Sequence, residues 1–173
     1  MIKEKIQDEF NRQINAETYS SYLYLSMAAY FSSINLPGFA NWMRCQAQEE
    51  LIHAMKFFDF VNERGGDVTL TAIDGPPTKW GSPLHVFEEA YKHEQKVTSL
   101  INSLVDLAMA EKDHASVTFL QWFVNEQVEE ESSAYDVVQR LKLAGDQGGG
   151  MFMIDRELAT RTFVYPTTAT TGA

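Results

Sequence analysis

Hydrophobic residues recur along most of the chain at intervals of three and four positions, the spacing of one helix face. Proline and glycine, which interrupt helices, are absent from three long intervals: residues 3–33, 39–64 and 84–144. We therefore predict an all-α protein with five helices: α1 at about 4–33, α2 at 38–64, α3 at 83–111, α4 at 114–143 and a short α5 near 150–160. No strand alternation, repeat or domain linker is visible in the sequence. Residues 1–173 are thus predicted to form one domain, ordered over about 1–160 with a flexible tail at 161–173.

The segment between α2 and α3, GGDVTLTAIDGPPTKWGS, determines the predicted topology. Its 18 residues could extend over roughly 59 Å, at about 3.3 Å per residue. A helix of the length of α2 measures only roughly 40 Å. The segment can therefore return along the whole bundle and make α2 and α3 parallel. This predicts a four-helix bundle with one long crossover.

Carboxylates and one histidine fall on the helix faces that the hydrophobic pattern assigns to the core. Counting 100° per residue gives these inward positions: Glu17 on α1, Glu50 and His53 on α2, Glu94 on α3, and Glu126 and Glu130 on α4. Glu49 and Glu129 fall at the edges of the same faces. Counting along each helix from its turn places five of the inward residues at nearly one height: Glu17, Glu50, His53, Glu94 and Glu130. All four long helices are thus predicted to contribute to one polar cluster.

A cluster of this kind is costly in a hydrophobic core unless positive charge neutralises it. Two carboxylates about 4 Å apart repel by about 4 kcal/mol at an effective dielectric constant near 20, and shared protons relieve only part of that. Glu50 and His53 stand one helical turn apart and could hold one cation between them. A carboxylate-rich site with a single imidazole suits iron or manganese better than structural zinc, which prefers thiolate and imidazole.

Composition and charge narrow the classes of protein to which the chain could belong. With 45% hydrophobic and 22% charged residues, the chain has the composition of a folded domain. A formal net charge of −10 disfavours nucleic acid and anionic membranes as partners and suits cations. No hydrophobic run approaches the ~20 residues of a membrane span, and MIKEKIQDEF does not read as a secretory signal. Cys45 is the single cysteine, so we expect no intrachain disulfide and a cytoplasmic location.

These features together resemble the bacterial non-haem ferritins, over nearly the whole chain. The resemblance is carried by Glu17 with Tyr24 on α1, EELIH on α2, Glu94 on α3, WFVNEQVEEE on α4, and the short α5. It implies a ferritin-like bundle that assembles into a hollow shell of 24 subunits. It also implies iron storage with ferroxidase activity, in which dioxygen oxidises Fe(II) at a di-iron site within each subunit and ferric mineral is kept inside the shell.

The resemblance also assigns roles to individual residues. Glu17, Glu50 and His53 would hold one iron, and Glu94, Glu130 and a bridging Glu50 would hold the second. Glu49, Glu126 and Glu129 resemble the third iron site of bacterial members. Gln127 would contact bound oxygen or water, and Tyr24 would stand beside the site. Haem is not expected, because Leu51 follows the bridging glutamate where bacterioferritins carry a haem-ligating methionine.

The sequence departs from the usual di-iron pattern at one point and leaves several alternatives to weigh. The departure is on α4, which carries Gln127-x-x-Glu130 where many di-iron bundles repeat Glu-x-x-His. A rubrerythrin-like oxidase would need four cysteines for its iron–sulfur module, and the chain has one. A bundle that binds metal only structurally, or that shares protons among its carboxylates, would consume no oxygen. Tyr24 and Trp122 could be packing residues, and His93 could compete with Glu94 as a ligand.

The outer side of α1 carries a second hydrophobic strip, formed by Tyr19, Leu23 and Tyr30. Large hydrophobic side chains opposite the core face suggest a buried contact between subunits. The strip therefore supports assembly, whereas the number of subunits comes from the resemblance alone.

Overall fold

A computed structural model describes residues 1–145 and 148–165. The five helices are α1 (Glu4–Ser33), α2 (Pro37–Glu63), α3 (Pro83–Ala110), α4 (His114–Ala144) and α5 (Gly148–Leu158). The four long helices lie within one residue of their predicted bounds, and α5 begins two residues earlier than predicted. The described residues contain no strand, so the all-α prediction is confirmed. Most of the predicted tail, residues 166–173, lies outside the described residues.

Local side-chain chemistry explains where the helices begin and end. Pro83 stands in the first turn of α3, where its missing N–H costs nothing, and Ser82 Oγ accepts from the His85 backbone N–H at 3.1 Å. Asp113 caps α4 in the same way through the Ser116 backbone N–H at 3.1 Å. α4 ends at Ala144, and the next residue, Gly145, has a φ of +54° that is unfavourable for residues with a Cβ.

The crossover between α2 and α3 follows α1 along the outside of the bundle. Its backbone is held by amide side chains of α1: the Asp67 N–H donates to Gln7 Oε1 at 2.9 Å, and Asn15 Nδ2 donates to the Ala72 carbonyl at 2.9 Å. Ser26 Oγ donates to the Pro77 carbonyl further along. The crossover therefore runs in the direction of α1, opposite to α2, and α3 starts at the end of the bundle where α2 started. This confirms that α2 and α3 are parallel.

Two hydrophobic clusters fill the bundle, one towards each end. Phe31, Phe39 and Phe87 are at the centre of the first cluster, and Phe10, Phe57 and Phe123 are at the centre of the second. The polar residues predicted to point inward occupy the layer between them. The bundle is thus sealed at both ends around a polar layer.

The buried faces match the predicted ones on α1, α2 and α3, whereas the buried face of α4 is displaced from the predicted one at two positions. Leu120 and Gln127 are buried there, whereas Phe119 and Glu126, which the hydrophobic pattern placed inward, are only half-buried. The prediction for α4 was wrong for Phe119 and Glu126, whereas Phe123 and Glu130 are buried as predicted. The cause is that α4 carries hydrophobic residues over a broad arc, and packing against α3 selects which part of it is buried.

The hydrophobic strip on the outer side of α1 is partly covered by the chain itself. Leu23 is only 6% exposed and belongs to the first core cluster, and Trp80 of the crossover packs against that cluster. The interpretation of this strip as a contact between subunits is therefore wrong for Leu23, which is buried within its own chain and lines one cavity with Pro77 and Trp80 of the crossover.

α5 packs across the start of α2. Asp155 Oδ1 accepts from the backbone N–H groups of Gly38 and Phe39, at 2.8 and 3.1 Å. These are N–H groups that the first turn of a helix leaves without partners. A Cβ at Gly38 would lie 1.6 Å from the Asp155 carbonyl oxygen, so only glycine permits this approach. None of the described helices combines the length and hydrophobicity needed to span a membrane.

Candidate metal centre

Each of the four long helices buries one carboxylate in the polar layer. The exposed fractions of Glu17, Glu50, Glu94 and Glu130 lie between 1% and 5%. The sequence analysis predicted this inward orientation, and the structure confirms it. Carboxylates are seldom buried to this extent without compensating partners.

Glu17, Glu50 and His53 form the first group of potential ligands. One ligand atom from each lies within 4.8 Å of the other two, and His53 Nδ1 is 3.5 Å from Glu50 Oε2. Gln13 Nε2 donates to Glu17 Oε1 at 2.8 Å. Glu17 Oε2 is buried and accepts no hydrogen bond from the described residues. An acceptor left in this state indicates a place for a cation or a proton.

His53, Glu126 and Glu130 form a second group with the same spacing. His53 Nε2 lies 3.9 Å from Glu126 Oε1. The imidazole therefore stands between the two groups, with one ring nitrogen near each. His53 is packed edge-on against Trp122 and Phe123, with ring centroids 5.4 and 5.9 Å away, which restricts its rotation.

Glu94 lies in the same layer but is held by neutral donors. Tyr24 donates its hydroxyl to Glu94 Oε1, and Gln127 Nε2 donates to Glu94 Oε2 at 3.2 Å. Glu94 belongs to neither of the two groups of potential ligands among the described residues. Tyr24 and Gln127 thus orient this carboxylate from both of its oxygens.

Two glutamines support the carboxylates, and the sequence analysis assigned no role to either. Gln46 Nε2 donates to Glu50 Oε1 at 3.1 Å and to Glu130 Oε2 at 2.6 Å, which joins α2 to α4. Gln13 and Gln46 each precede their glutamate by four residues, one helical turn. A buried Gln-x-x-x-Glu pair repeated on two helices was a signal available in the sequence.

Burial raises the pKa of each of the four buried carboxyl groups in the metal-free protein. Burial, followed by the charge of Glu50, raises the pKa of Glu17 to about 8. Burial and the neighbouring glutamates raise the pKa values of Glu50 and Glu130 well above the ordinary range. Burial also raises the pKa of Glu94, although the hydrogen bonds from Tyr24 and Gln127 oppose it. A cation that binds Glu17 at neutral pH would therefore have to displace a proton.

This set of donors fits hard divalent or trivalent cations. Full charges on two carboxylates within 4.8 Å of each other would repel by at least about 3 kcal/mol at an effective dielectric constant near 20. A cation between them would replace this repulsion by attraction. Oxygen donors with one imidazole match the preferences of iron and manganese. Neither group of potential ligands among the described residues contains a cysteine, and Cys45 Sγ donates instead to the Arg161 carbonyl at 3.7 Å.

The remaining predicted ligands lie at the edge of the layer. Glu49 is half-buried and accepts a hydrogen bond from Arg161 Nη2. Glu129 is exposed and belongs to neither group of potential ligands. His93, the competitor of Glu94, lies 2.7 Å from Ser20 Oγ through Nε2 and also stands outside both groups. Burial, together with Lys96, lowers the pKa of His93 to about 4.

Arg161 contributes to this edge although its position is distant in the sequence. It follows α5, within the segment predicted to be flexible, and its contact with Glu49 spans 112 positions. No local pattern marks it, because both partners are ordinary charged residues until the fold brings them together.

A comparison with protein families decides the classification. The family model described as a ferritin-like domain matches residues 7–144, which include all the residues of the polar layer. The chain belongs to the ferritin family.

Curated relatives of this ferritin agree with the resemblance seen in the sequence. It is 50% identical to a bacterial non-heme ferritin of Bacteroides fragilis, over 93% of this chain and 100% of the relative. It is 39% identical to a bacterial non-heme ferritin of Escherichia coli, over 92% of this chain and 97% of the relative.

Solved structures of ferritins have the same fold. An engineered closed form of the Archaeoglobus fulgidus ferritin is 58% identical, with a TM-score of 0.94 over 95% of this chain and 100% of that one. The open-pore ferritin of the same archaeon is also 58% identical, with a TM-score of 0.93 over 94% and 100% of the two chains. The predicted ferritin-like bundle with a short fifth helix is thereby confirmed.

Proposed function

We propose that this ferritin is a ferroxidase that oxidises Fe(II) with dioxygen at a di-iron site within each chain and stores the ferric product. Membership of the ferritin family supports iron storage. The observation that carries the finer proposal is the convergence of four buried carboxylates and His53 in one layer between two hydrophobic clusters. A bundle needing only stability would fill this layer with hydrophobic side chains.

Two cations would share the layer as substrates. Glu17, Glu50 and His53 would bind the first, and their spacing in the metal-free protein already permits it. Glu50, Glu94 and Glu130 would bind the second, with Glu50 bridging. Because Glu50 and Glu130 share the Gln46 amide as donor, the second position would form by rotation of carboxylates that are already neighbours.

The oxidation balances with two irons per dioxygen. Two Fe(II) each supply one electron, and two protons complete the reduction of dioxygen to hydrogen peroxide. Cation binding releases protons from the glutamates whose pKa values burial has raised. Tyr24 and Gln127 would hold Glu94 in position during these steps. The protein thus supplies orientation, charge and a site closed to bulk water.

Glu49, Glu126 and Glu129 would form a third iron position towards the edge. Glu126 already lies near His53, whereas Glu49 would first have to leave Arg161 and the exposed Glu129 would have to turn inward. We further propose a cytoplasmic homo-oligomeric shell of 24 subunits without haem. Analytical ultracentrifugation of the purified protein tests the subunit number directly.

The experiment that tests the ferroxidase proposal is aerobic addition of Fe(II) to metal-free protein, followed by ferric absorbance. We expect rapid oxidation of about two irons per chain, and its loss in Glu50→Ala, which removes the proposed bridge. Glu63→Ala is the matched control, because it removes an exposed glutamate from the same helix. Oxidation no faster than in buffer would reject the proposal in favour of a metal-binding bundle without catalysis.

A further inference from the structure

Arg161 connects the segment after α5 to the edge of the metal centre, and its guanidinium is fixed from several sides. Nη2 donates to Gln46 Oε1 at 2.9 Å and to the Glu49 carboxylate. The guanidinium carbon lies 4.5 Å from the centre of the Trp42 ring, a cation–π contact. The Arg161 carbonyl accepts from Asn41 Nδ2 at 2.9 Å, which anchors the backbone as well.

The ion pair between Arg161 and Glu49 is shielded from solvent. The two side chains are 23% and 27% exposed. Besides Glu49, three α2 residues hold Arg161, namely Asn41, Trp42 and Gln46. A pair fixed and shielded to this extent loses less to solvent screening than an ordinary surface pair. Breaking it therefore has a measurable cost.

Glu49 lies where its carboxylate could bind a cation if Arg161 did not pair with it. It precedes His53 by one helical turn on α2. Glu126 on α4 approaches the same imidazole, with Oε1 at 3.9 Å from Nε2. Glu49 and Glu126 therefore share one neighbour at the edge of the layer, and the positive charge that pairs with Glu49 is that of Arg161.

We propose that Arg161 acts as a built-in counter-cation that competes with divalent metal ions for Glu49 at the edge of the centre. This inference rests on the proposed function, because the position in question is the third iron position. A cation that recruits Glu49 must displace the guanidinium and also approach a positive charge. The third position is accordingly weaker than the inner pair, and iron fills it last.

The inner positions are spared this competition by the chemistry of their donors. Glu17 and Glu50 accept hydrogen bonds from the side-chain amides of Gln13 and Gln46. These amides are neutral, so they orient carboxylates without repelling an incoming cation. The structure thus places neutral donors around the inner pair and a charged donor at the edge.

Titration of metal-free, assembled protein with Zn(II) by calorimetry tests the proposal, since Zn(II) binds without redox chemistry. Arg161→Gln is expected to bind a third cation per chain about tenfold more tightly than the wild type. The change at the two inner positions should be smaller, because Arg161 reaches Glu50 and Glu130 only through the neutral Gln46 amide. Arg161→Lys keeps the charge and should stay within about twofold of the wild type. Arg140→Gln is the matched control: it removes the same charge from a guanidinium that pairs with Glu157 and whose side chain is 27% exposed.

A second variant identifies the carboxylate concerned. Adding Glu49→Gln to Arg161→Gln should abolish the tightening, because the competed ligand is then gone. Structural damage would weaken binding at every position, so tighter binding cannot arise from loss of fold. Equal or weaker third-cation binding in Arg161→Gln would overturn the inference.

The outcomes also separate this inference from the proposed function. If two inner cations bind and Arg161→Gln changes nothing, the competition is refuted while the di-iron proposal stands. If the inner cations fail to bind but Arg161→Gln still strengthens a site that depends on Glu49, the di-iron proposal fails and the competition stands.

Discussion

Acidification from pH 8 to pH 6 is expected to weaken divalent-cation binding at the metal centre about fiftyfold through Glu17 alone. A carboxyl group must lose its proton before it can bind a cation. Burial and the charge of Glu50 raise the pKa of Glu17 to about 8. The ionised fraction of Glu17 therefore falls from about one half at pH 8 to about one hundredth at pH 6.

Glu50 and Glu130 add to this effect in the same direction. Burial is the largest cause of the raised pKa of each, and neighbouring carboxylates raise it further. At pH 7 binding should release about 0.9 proton from Glu17 and further protons from the other two. We therefore expect metal binding to this ferritin to be coupled to proton release in the neutral range.

Anaerobic calorimetric titration with Zn(II) at pH 6, 7 and 8 measures both quantities. Repeating it in two buffers with different protonation enthalpies gives the number of protons released per cation. In Glu17→Gln, binding should be weaker and its logarithm should depend on pH less steeply, by about one unit per pH unit below pH 7. Glu63→Gln, an exposed change on α2, should leave the slope as it is.

Two results would refute this reasoning. Binding without proton release at pH 7 would mean that the buried glutamates are already ionised in the metal-free protein. An unchanged slope in Glu17→Gln would mean that the protons come from elsewhere in the layer.

Three further predictions concern stability. Because the pKa of Glu17 is raised from 4.5 to about 8 in the folded state, Glu17 destabilises the metal-free fold increasingly as pH rises between those values. Glu17→Gln should therefore raise the free energy of unfolding above pH 8 by up to about 5 kcal/mol, and urea denaturation that shows no gain there would contradict this. Gly38→Ala should lower the free energy of unfolding by about 2–4 kcal/mol, because the alanine Cβ would overlap the Asp155 carbonyl oxygen and push α5 away. Limited proteolysis after α4 should then become faster than in the wild type. Asp113→Ala should lower the free energy of unfolding by about 1–3 kcal/mol, because α4 loses its cap and Arg64 loses its partner. The Arg64 nitrogens lie 3.1 and 3.0 Å from the two oxygens of that carboxylate. Asp113→Asn keeps the cap and should recover about half of the loss.

The helices, the crossover and the inward carboxylates could be predicted from the sequence. Helix bounds follow from where proline and glycine interrupt a periodic pattern, and the pattern is local. The parallel arrangement of α2 and α3 follows from the reach of residues 65–82 compared with the length of a helix. The inward orientation of Glu17, Glu50, Glu94 and Glu130 follows from a fixed rotation per residue, and their burial confirms it.

Contacts between helices were decided only by the tertiary structure. The periodicity gives the angle of a side chain around its own helix, but not the rotation of that helix against its neighbour. This is why Gln127 rather than Glu126 is buried on α4, and why the crossover covers Leu23. The pairing of Arg161 with Glu49 depends on how α5 packs across α2, an arrangement held by Asp155 and Gly38. The sequence by itself thus determined which residues could meet in the core, and the packing of one helix on another determined which of them do.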